Sequence, residues 1–396
     1  MKRFTIKIIS GALFACFCLP MFVAAQKPQR KPTVSRKSSP ALEQLSQRAA
    51  AARDNNQLEE AIALYRQGLK ANPTWAEGWW YLGTLLYELE RHGEARDALR
   101  RMATLNPNGG PTWSLIGLCE FQLREYQQAL LHLTRARTLG LGGNEQMAYV
   151  NNYHAALLLT RFEQYEAGLE LLNILLRQQN ANPALVEALG LNLMRAPYLP
   201  AELPPDKRER MLRLGKAGAL AIGNKLEDTR REFNDLIKDY PQTANLHYAL
   251  GIFLLPSLPD DALAEFRREL ELSPRHVPAQ LQLAFEYLKR NEYAQGLPFA
   301  EQAVQLDANS FPARNVLGRL LLELDQTERA IKELEAGTKL APDSPEMHFA
   351  LARAYSKVGR KTEATKARTE FMRLDKMRRS QRESQFGPAA PETPKP

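Results

Sequence analysis

The chain has 396 residues, of which 44% are hydrophobic and 25% are charged, and this is typical of an ordered, soluble protein. Its net charge of +8 equals the eight lysines and arginines of residues 1–37, a stretch that contains no acidic residue. The rest of the chain is therefore neutral by count. This balance argues against a nucleic-acid partner, because such a partner requires a basic folded surface.

Residues 1–25 have the pattern of a secretory signal peptide. Lys2 and Arg3 precede an uncharged stretch from Ile8 to Ala25, and small residues at the end of that stretch predict cleavage near Ala25. We therefore expect an exported protein, periplasmic or extracellular. The alternative is an uncleaved signal that anchors the chain in the membrane, because an uncharged stretch of this length can just span a bilayer.

Residues 26–40 are rich in proline, serine and basic residues and lack apolar periodicity. They predict a disordered basic linker, and a segment of this kind can also contact anionic membrane surfaces. Beyond residue 25 the chain holds one cysteine, Cys119. Since one thiol cannot form an internal disulfide, the stability of the fold must come from packing.

From residue 41 onward, small residues recur where paired helices would approach each other closely. Six of the nine intervals between them equal the interval from Gly83 to Gly117. These residues are Ala49, Gly83, Gly117, Ala156, Gly190, Ala217, Gly251, Ala284, Gly318 and Ala352. Between them lie second apolar segments in which an alanine is followed four residues later by Tyr65, Leu99, Leu133 or Leu334. This spacing predicts helices with one buried face, arranged as a repeat array.

The clearest copy runs from Trp79 to Pro107. Its landmarks are Trp79, Leu82, Gly83, Tyr87, Ala95, Leu99 and Pro107. This pattern resembles the tetratricopeptide repeat, a helix–turn–helix unit whose length matches the recurring interval. The resemblance implies an all-α, right-handed superhelical solenoid of about nine helix pairs, and the signal-like N-terminus suggests an exported member of bacterial type.

The pattern breaks at residues 196–205, where four prolines predict an irregular connection. We therefore expect an N-terminal repeat block at 41–195 and a C-terminal block at 206–377 that ends in a basic capping helix. Because Leu199 and Leu203 are apolar, we favour a packed strap over a hinge at the connection. Residues 378–396 contain four prolines and predict a disordered tail.

No catalytic, cofactor or metal motif stands out in the sequence. The six histidines are scattered without metal-ligand spacing, and no phosphate-binding glycine loop or nucleophile motif occurs. Paired acids such as Asp260 and Asp261 fall at predicted helix starts, where negative charge favours the helix dipole. We therefore expect no enzymatic activity, no cofactor and no metal site.

The resemblance implies instead a concave groove lined by the first helix of each pair. If the recurring small residue is position 8, positions 2, 5, 9 and 12 point into this groove. We select ten candidate partner-binding residues: Trp80, Thr84, Tyr87, Phe121, Tyr153, Tyr248, Phe285, Arg319, Phe349 and Arg353. Trp79 and Trp113 occupy position 4 and are predicted to pack inside the repeats.

These residues predict a non-catalytic scaffold that binds a protein or peptide partner in the cell envelope or outside the cell. Aromatic side chains at such surfaces carry much of the binding energy. A glycan- or peptidoglycan-binding accessory protein is the alternative, with Tyr153 beside Asn152 as its best candidate site. An enzyme is a further alternative, which would need His, Asp or Glu side chains that converge in the groove.

Overall fold

The computed structural model describes residues 40–178 and 182–386, which form nineteen α-helices and no strand. The predicted signal peptide, residues 26–39 of the predicted linker and residues 387–396 of the predicted tail lie outside these ranges. Within the described ranges, the all-α architecture of consecutive helix pairs is confirmed.

The chain divides into two compact units, and the boundary lies between Leu158 and Leu159. This differs from the division that the sequence placed at 196–205, because the helices on both sides of that connection belong to one unit. Unit 1 contains α1 (Pro40–Asp54), α2 (Leu58–Ala71), α3 (Ala76–Glu88), α4 (His92–Leu105), α5 (Gly110–Gln122), α6 (Tyr126–Leu139) and most of α7 (Glu145–Arg161).

Unit 2 begins in the last turn of α7. It contains α8 (Tyr165–Gln178), α9 (Pro183–Leu193), α10 (Pro205–Ile222), α11 (Leu226–Asp239), α12 (Leu246–Leu254), α13 (Pro259–Leu272), α14 (Val277–Lys289), α15 (Tyr293–Leu306), α16 (Phe311–Glu323), α17 (Thr327–Leu340), α18 (Pro345–Lys357) and α19 (Lys361–Phe386).

The predicted apolar stripes of the second helices are buried. These residues are Ala61 and Tyr65 on α2, Ala95 and Leu99 on α4, Ala129 and Leu133 on α6, and Ala330 and Leu334 on α17. Leu99, Leu133 and Leu334 lie against the small residue of the first helix of their own pair, whereas Tyr65 packs against Trp75 and Tyr81 of the next repeat. The exclusion of this apolar surface from water stabilises the fold.

The turn inside most pairs contains one residue with positive φ, just after the first helix ends. These residues are Asn56, Glu90, Arg124, Glu163, Asn224, Asn291, Asp325 and Gly359, and Arg195 has the same conformation just after α9. A residue in this left-handed region ends the helix and reverses the chain. Glycine, asparagine and aspartate adopt it readily, whereas it is uncommon for glutamate and arginine.

The regular pairing is interrupted at α9, which is followed by the first helix of the next pair and not by a second helix of its own. α9 packs directly on α10 through two glycines. A Cβ atom on Gly190 would lie 1.9 Å from the carbonyl oxygen of Met211, and one on Gly215 would lie 1.9 Å from that of Val186. The two backbones are therefore in contact, and this contact compensates for the shortened repeat.

The connection between α9 and α10 is packed as a strap. Leu199 and Leu203 are buried, and a short 3-10 helix, Pro200–Glu202, lies between them. Glu202 accepts a hydrogen bond from the backbone N–H of Leu199 at 3.0 Å and also pairs with Arg161. Arg208 donates to the carbonyl oxygen of Pro200 at 2.9 Å. These contacts fix the strap at both ends.

The last helix corrects the predicted tail boundary. α19 continues to Phe386, whereas the sequence placed the start of the tail at residue 378. No proline or glycine occurs between residue 361 and Phe386, and the first, Gly387, follows the end of the helix directly. Ion pairs between neighbouring turns support the extension, since Arg379 pairs with Asp375 at 2.9 Å.

Candidate functional site

The ten candidate residues fall on the first helices of their pairs and divide between the two units. Unit 1 carries Trp80, Thr84 and Tyr87 on α3, Phe121 on α5 and Tyr153 on α7, and unit 2 carries Tyr248 on α12, Phe285 on α14, Arg319 on α16, and Phe349 and Arg353 on α18.

In unit 1 the candidate side chains are half-buried. The Phe121 ring lies edge-on to His154, with centroids 4.7 Å apart, and 5.7 Å from Tyr126. Tyr87 packs against His92 at 5.4 Å. Trp80 is also half-buried. These aromatic side chains are partly anchored and partly accessible, which is a common state for residues at binding surfaces.

Two further candidates in unit 1 have clear local contacts. The Thr84 hydroxyl donates a hydrogen bond to the carbonyl oxygen of Tyr81 at 3.0 Å, so this hydroxyl is engaged by its own helix. The Tyr153 ring stacks parallel to Tyr149, with centroids 6.4 Å apart, and lies edge-on to His154. Tyr149, Tyr153 and His154 therefore form an aromatic cluster on one helix.

In unit 2, position 9 of three successive first helices forms an accessible row. Phe285, Arg319 and Arg353 follow one another at the repeat interval, and we call them the position-9 row. Phe285 is 37% exposed, Arg319 is half-buried and Arg353 is exposed. Since α14 contacts α16 and α16 contacts α18, the row is continuous across three repeats.

The two arginines of this row influence each other. Burial lowers the pKa of Arg319 below its ordinary value, the nearby charge of Arg353 lowers it further, and Glu323 acts in the opposite direction. Arg353 donates to Glu323 at 2.8 Å. A half-buried arginine next to a second arginine favours an anionic group in its surroundings.

The structure corrects one of the ten candidates, Tyr248, because its side chain is only 7% exposed. Its ring packs against His276 at 4.8 Å and Phe266 at 5.8 Å, and the Arg195 guanidinium lies 5.8 Å from its centroid. Burial raises the pKa of its hydroxyl to about 12. Since Tyr248 faces His276 at the start of α14, it belongs to the core of unit 2 and not to a groove.

The prediction that the position-4 tryptophans pack inside the repeats is also corrected. Trp79 and Trp113 are half-buried and donate hydrogen bonds to the backbone. The Trp79 indole N–H donates to the carbonyl oxygen of Pro73 at 2.8 Å, and Trp113 donates to Pro107 at 2.8 Å. The same contact, from position 4 to the carbonyl six residues earlier, recurs from Gln280 to Pro274, Arg314 to Ala308, and His348 to Pro342.

Position 4 therefore fixes the loop that joins consecutive repeats. The acceptor is a carbonyl just after a second helix, where intrahelical partners end. The chemical type of the donor varies from indole to guanidinium, so sequence reasoning based on tryptophan alone missed the series. The available signal in the sequence was a residue with a side-chain N–H six positions after the residue that closes each repeat.

Sequence reasoning also missed Phe371 and Met372 on α19, which lie beside Phe349. The Phe371 and Phe349 rings are 5.3 Å apart, and Met372 is 55% exposed. Both residues belong to a helix that the sequence identified only as a basic cap. Their apolar character within a charged segment was the available signal.

The described residues contain no group of three His, Cys, Asp or Glu side chains that could hold a metal ion. Cys119 is buried, and burial raises the pKa of its thiol to about 12, which keeps it protonated and unreactive. None of the helices in the described ranges has the length and apolarity that crossing a bilayer requires.

Comparison with known proteins agrees with the observed repeat. Models of the tetratricopeptide repeat match residues 47–110 and 287–354. Anaphase-promoting complex subunit 3 of Schizosaccharomyces pombe (strain 972 / ATCC 24843) is 28% identical over 150 residues, which cover 38% of this chain and 23% of that relative. The match therefore spans less than a quarter of the relative's length.

Solved structures show partial likeness. The MamA RS-1 ArsTM double mutant has a TM-score of 0.40 and 21% identity, and the alignment covers 43% of this chain and 97% of that one. The crystal structure of YrrB, a TPR protein with an unusual peptide-binding site, has a TM-score of 0.38 and 17% identity, with 43% and 89% of the two chains covered.

The recurring helix pairs thus define an all-α helical-repeat protein. The family models show tetratricopeptide repeats at residues 47–110 and 287–354, and the recurring register of small residues continues between these two matches.

Proposed function

We propose that the chain is a non-catalytic scaffold that binds a protein or peptide partner through the first helices of its repeats. The position-9 row supports this proposal most directly. It places one aromatic and two cationic side chains, Phe285, Arg319 and Arg353, at accessible positions on three consecutive helices.

The chemistry of this row suits a peptide ligand. Aromatic residues and arginine are enriched among the side chains that dominate binding energy at interfaces. An arginine can form paired hydrogen bonds with a carboxylate, and a neighbouring aromatic ring supplies apolar contact area. The half-buried aromatic side chains of unit 1, Trp80, Tyr87 and Phe121, offer a second surface with less charge.

A peptide-display experiment tests the proposal. Random peptides would be selected on the wild-type protein, and the enriched peptides would then be measured against Phe285→Ala combined with Arg319→Ala. The control is Phe311→Ala, because Phe311 is 42% exposed in the same unit but lies outside the position-9 row. We expect at least about tenfold weaker binding for the double variant and wild-type binding for the control.

Two outcomes would contradict the proposal. The first is that no peptide is enriched above background. The second is co-sedimentation with purified peptidoglycan that is lost in Tyr153→Ala, because a glycan would then replace the peptide as ligand.

We also propose that the protein acts outside the cytoplasm, either in the envelope or after secretion. The support is the charged start and uncharged stretch of residues 1–25. Cell fractionation followed by N-terminal sequencing tests this. We expect a mature chain that starts near Gln26 outside the cytoplasm, whereas a chain that retains Met1 in the membrane fraction would indicate an uncleaved anchor, and one in the cytoplasm would contradict export.

A further inference from the structure

The final helix pair of unit 2 forms an open groove with a volume of about 600 Å³, which we call the terminal groove. Its lining residues come from both helices of the pair. They are Phe349, Ala352, Arg353, Ser356 and Lys357 on α18, and Arg368, Phe371 and Met372 on α19.

The repeat register explains why this groove is open. Phe349 occupies position 5, which is held by Asn315 one repeat earlier. Asn315 is covered by α18, and its side-chain amide donates to the sulfur of Met347 at 3.1 Å. Among the described residues no helix follows α19, and Phe349 is 50% exposed. In the preceding repeat, α18 covers the residues that are equivalent to those of the terminal groove. No described helix covers the terminal groove itself.

The groove does not accept a further repeat in the usual manner. One repeat earlier, α18 docks by placing Met347 against Gly337, where a Cβ atom would lie 2.2 Å from the Met347 side chain. The equivalent residue on α19, one repeat interval later, is Phe371. A phenylalanine therefore stands at the repeat position where Gly337 has no side chain. A helix that docks here must lie over the Phe349 and Phe371 rings without inserting a side chain between the two helices.

The charge of the groove specifies the partner further. Three of its eight lining residues, Arg353, Lys357 and Arg368, are basic, and none is acidic. Arg353 and Lys357 already pair with Glu323 and Asp325 at the near edge, at 2.8 and 2.6 Å. The three basic side chains favour carboxylates on a partner, while the exposed Phe349 ring and the Met372 thioether offer apolar contact area.

We propose that the terminal groove binds an acidic amphipathic helix supplied by a partner protein. The apolar face of that helix covers Phe349 and Met372, and its carboxylates face Arg353, Lys357 and Arg368. This inference rests on the proposed scaffold function and names the partner chemistry for one of its surfaces. Docking of an amphipathic helix in an apolar groove is an established mode of peptide recognition.

Fluorescence anisotropy with two designed peptides tests the inference. Both are end-capped amphipathic helices of equal length with the same leucine face, and their polar faces carry either glutamate or lysine. The protein is purified from cells that express the full chain. We expect the glutamate peptide to bind at micromolar concentration and the lysine peptide to bind at least about tenfold more weakly.

Matched variants localise the binding. Met372→Ala and Met377→Ala remove similarly exposed methionines from the same helix, 55% and 48% exposed, but only Met372 lines the groove. We expect Phe349→Ala, Met372→Ala and Arg368→Ala each to weaken binding of the glutamate peptide about tenfold, and Met377→Ala to leave it unchanged. Helicity by circular dichroism should stay at the wild-type level in all four.

Several results would overturn the inference. Equal binding of both peptides would contradict the preference for an acidic helix. Binding that is insensitive to Phe349→Ala would show that the peptide binds outside the terminal groove. Self-association that Phe349→Ala abolishes would make a second copy the occupant, and Met372-dependent binding to anionic lipid vesicles would make it a membrane. If neither peptide binds while displayed peptides still depend on Phe285, the inference fails and the scaffold function stands.

Discussion

Tyr248 and Phe349 occupy the same position of the repeat, yet they differ strongly in their exposure to solvent. Tyr248 is 7% exposed and packs against His276 at the start of the following first helix. Phe349 is 50% exposed and lies at the edge of the terminal groove. The residue type and register are similar, so the difference comes from the neighbour. A position 5 side chain is thus available to a partner to the extent that no following helix covers it.

The largest expected effect is at the covered position. Tyr248→Ala should lower the free energy of unfolding by about 3–5 kcal/mol, because it leaves a cavity among buried aromatic rings. Chemical denaturation measures this. A loss below about 1 kcal/mol would mean that Tyr248 is not a core residue and that the comparison with Phe349 is wrong.

The glycine contact between α9 and α10 should be the next most sensitive. Gly215→Ala places a methyl group against the carbonyl oxygen of Val186 and should destabilise by about 1–3 kcal/mol, although alanine favours a helix. Gly93→Ala on α4 is the matched control. No atom lies within 4 Å of the added Cβ there, so we expect it to be neutral or to stabilise by up to about 1 kcal/mol. Equal effects of the two substitutions in denaturation curves would contradict the close contact.

The contacts around Tyr248 also predict a pH dependence. The Nδ1 atom of His276 accepts a hydrogen bond from the backbone N–H of Ala279 at 3.0 Å, and its Nε2 donates to Asn245 at 2.9 Å. Only the first contact requires the neutral ring, because a protonated Nδ1 cannot accept, whereas Nε2 can donate in either protonation state. Burial, followed by the charge of Arg195, lowers the pKa of His276 from 6.5 to about 4.

A lowered pKa means that the unfolded chain binds a proton that the folded chain does not, between pH 6.5 and about 4. The free energy of unfolding should therefore fall by about 1–3 kcal/mol as the pH drops through this window. Denaturation at several pH values, compared between wild type and His276→Asn, isolates the effect, because asparagine can still cap α14 but does not titrate. Identical pH profiles would exclude His276 as the cause.

A smaller effect is expected in the loop between repeats. Trp113→Phe keeps an aromatic ring but loses the donor to Pro107, and should lower the free energy of unfolding by about 1 kcal/mol. Trp113→Ala also removes the surface on which Arg135 packs, 3.8 Å above the ring, and should cost more. If phenylalanine and alanine cost the same in thermal melts, the hydrogen bond and not the ring provides the stability.

Much of the fold could be predicted from the sequence. The recurrence of small residues at one interval identified the helix pairs and the buried stripes, such as Ala95 with Leu99, because close packing of paired helices requires small and apolar residues at fixed spacing. The packing of Leu199 and Leu203 also followed from their apolar character. The unit boundary did not follow, because α9 and α10 are joined through a glycine contact that spacing alone does not reveal.

The candidate site was less predictable. Register identified the face of each first helix but not its exposure, since Tyr248 is covered by residues far away in the sequence, whereas Phe285 is not. The terminal groove depends on Phe371 at the place that Gly337 occupies one repeat earlier. The effect of this difference on the groove becomes apparent only when the packing of α18 against α19 is known. The extent of α19 to Phe386 shows equally that a charged segment without glycine or proline can continue a helix beyond the boundary that the sequence suggested.

The most direct test of the account measures stability and binding together in Phe349→Ala. We expect the free energy of unfolding to stay within about 0.5 kcal/mol of wild type, because Phe349 is half-exposed, while binding of the acidic helical peptide falls about tenfold. The opposite result, a clearly lowered stability with unchanged peptide binding, would show that Phe349 serves the fold and would contradict the assignment of the terminal groove as a binding surface.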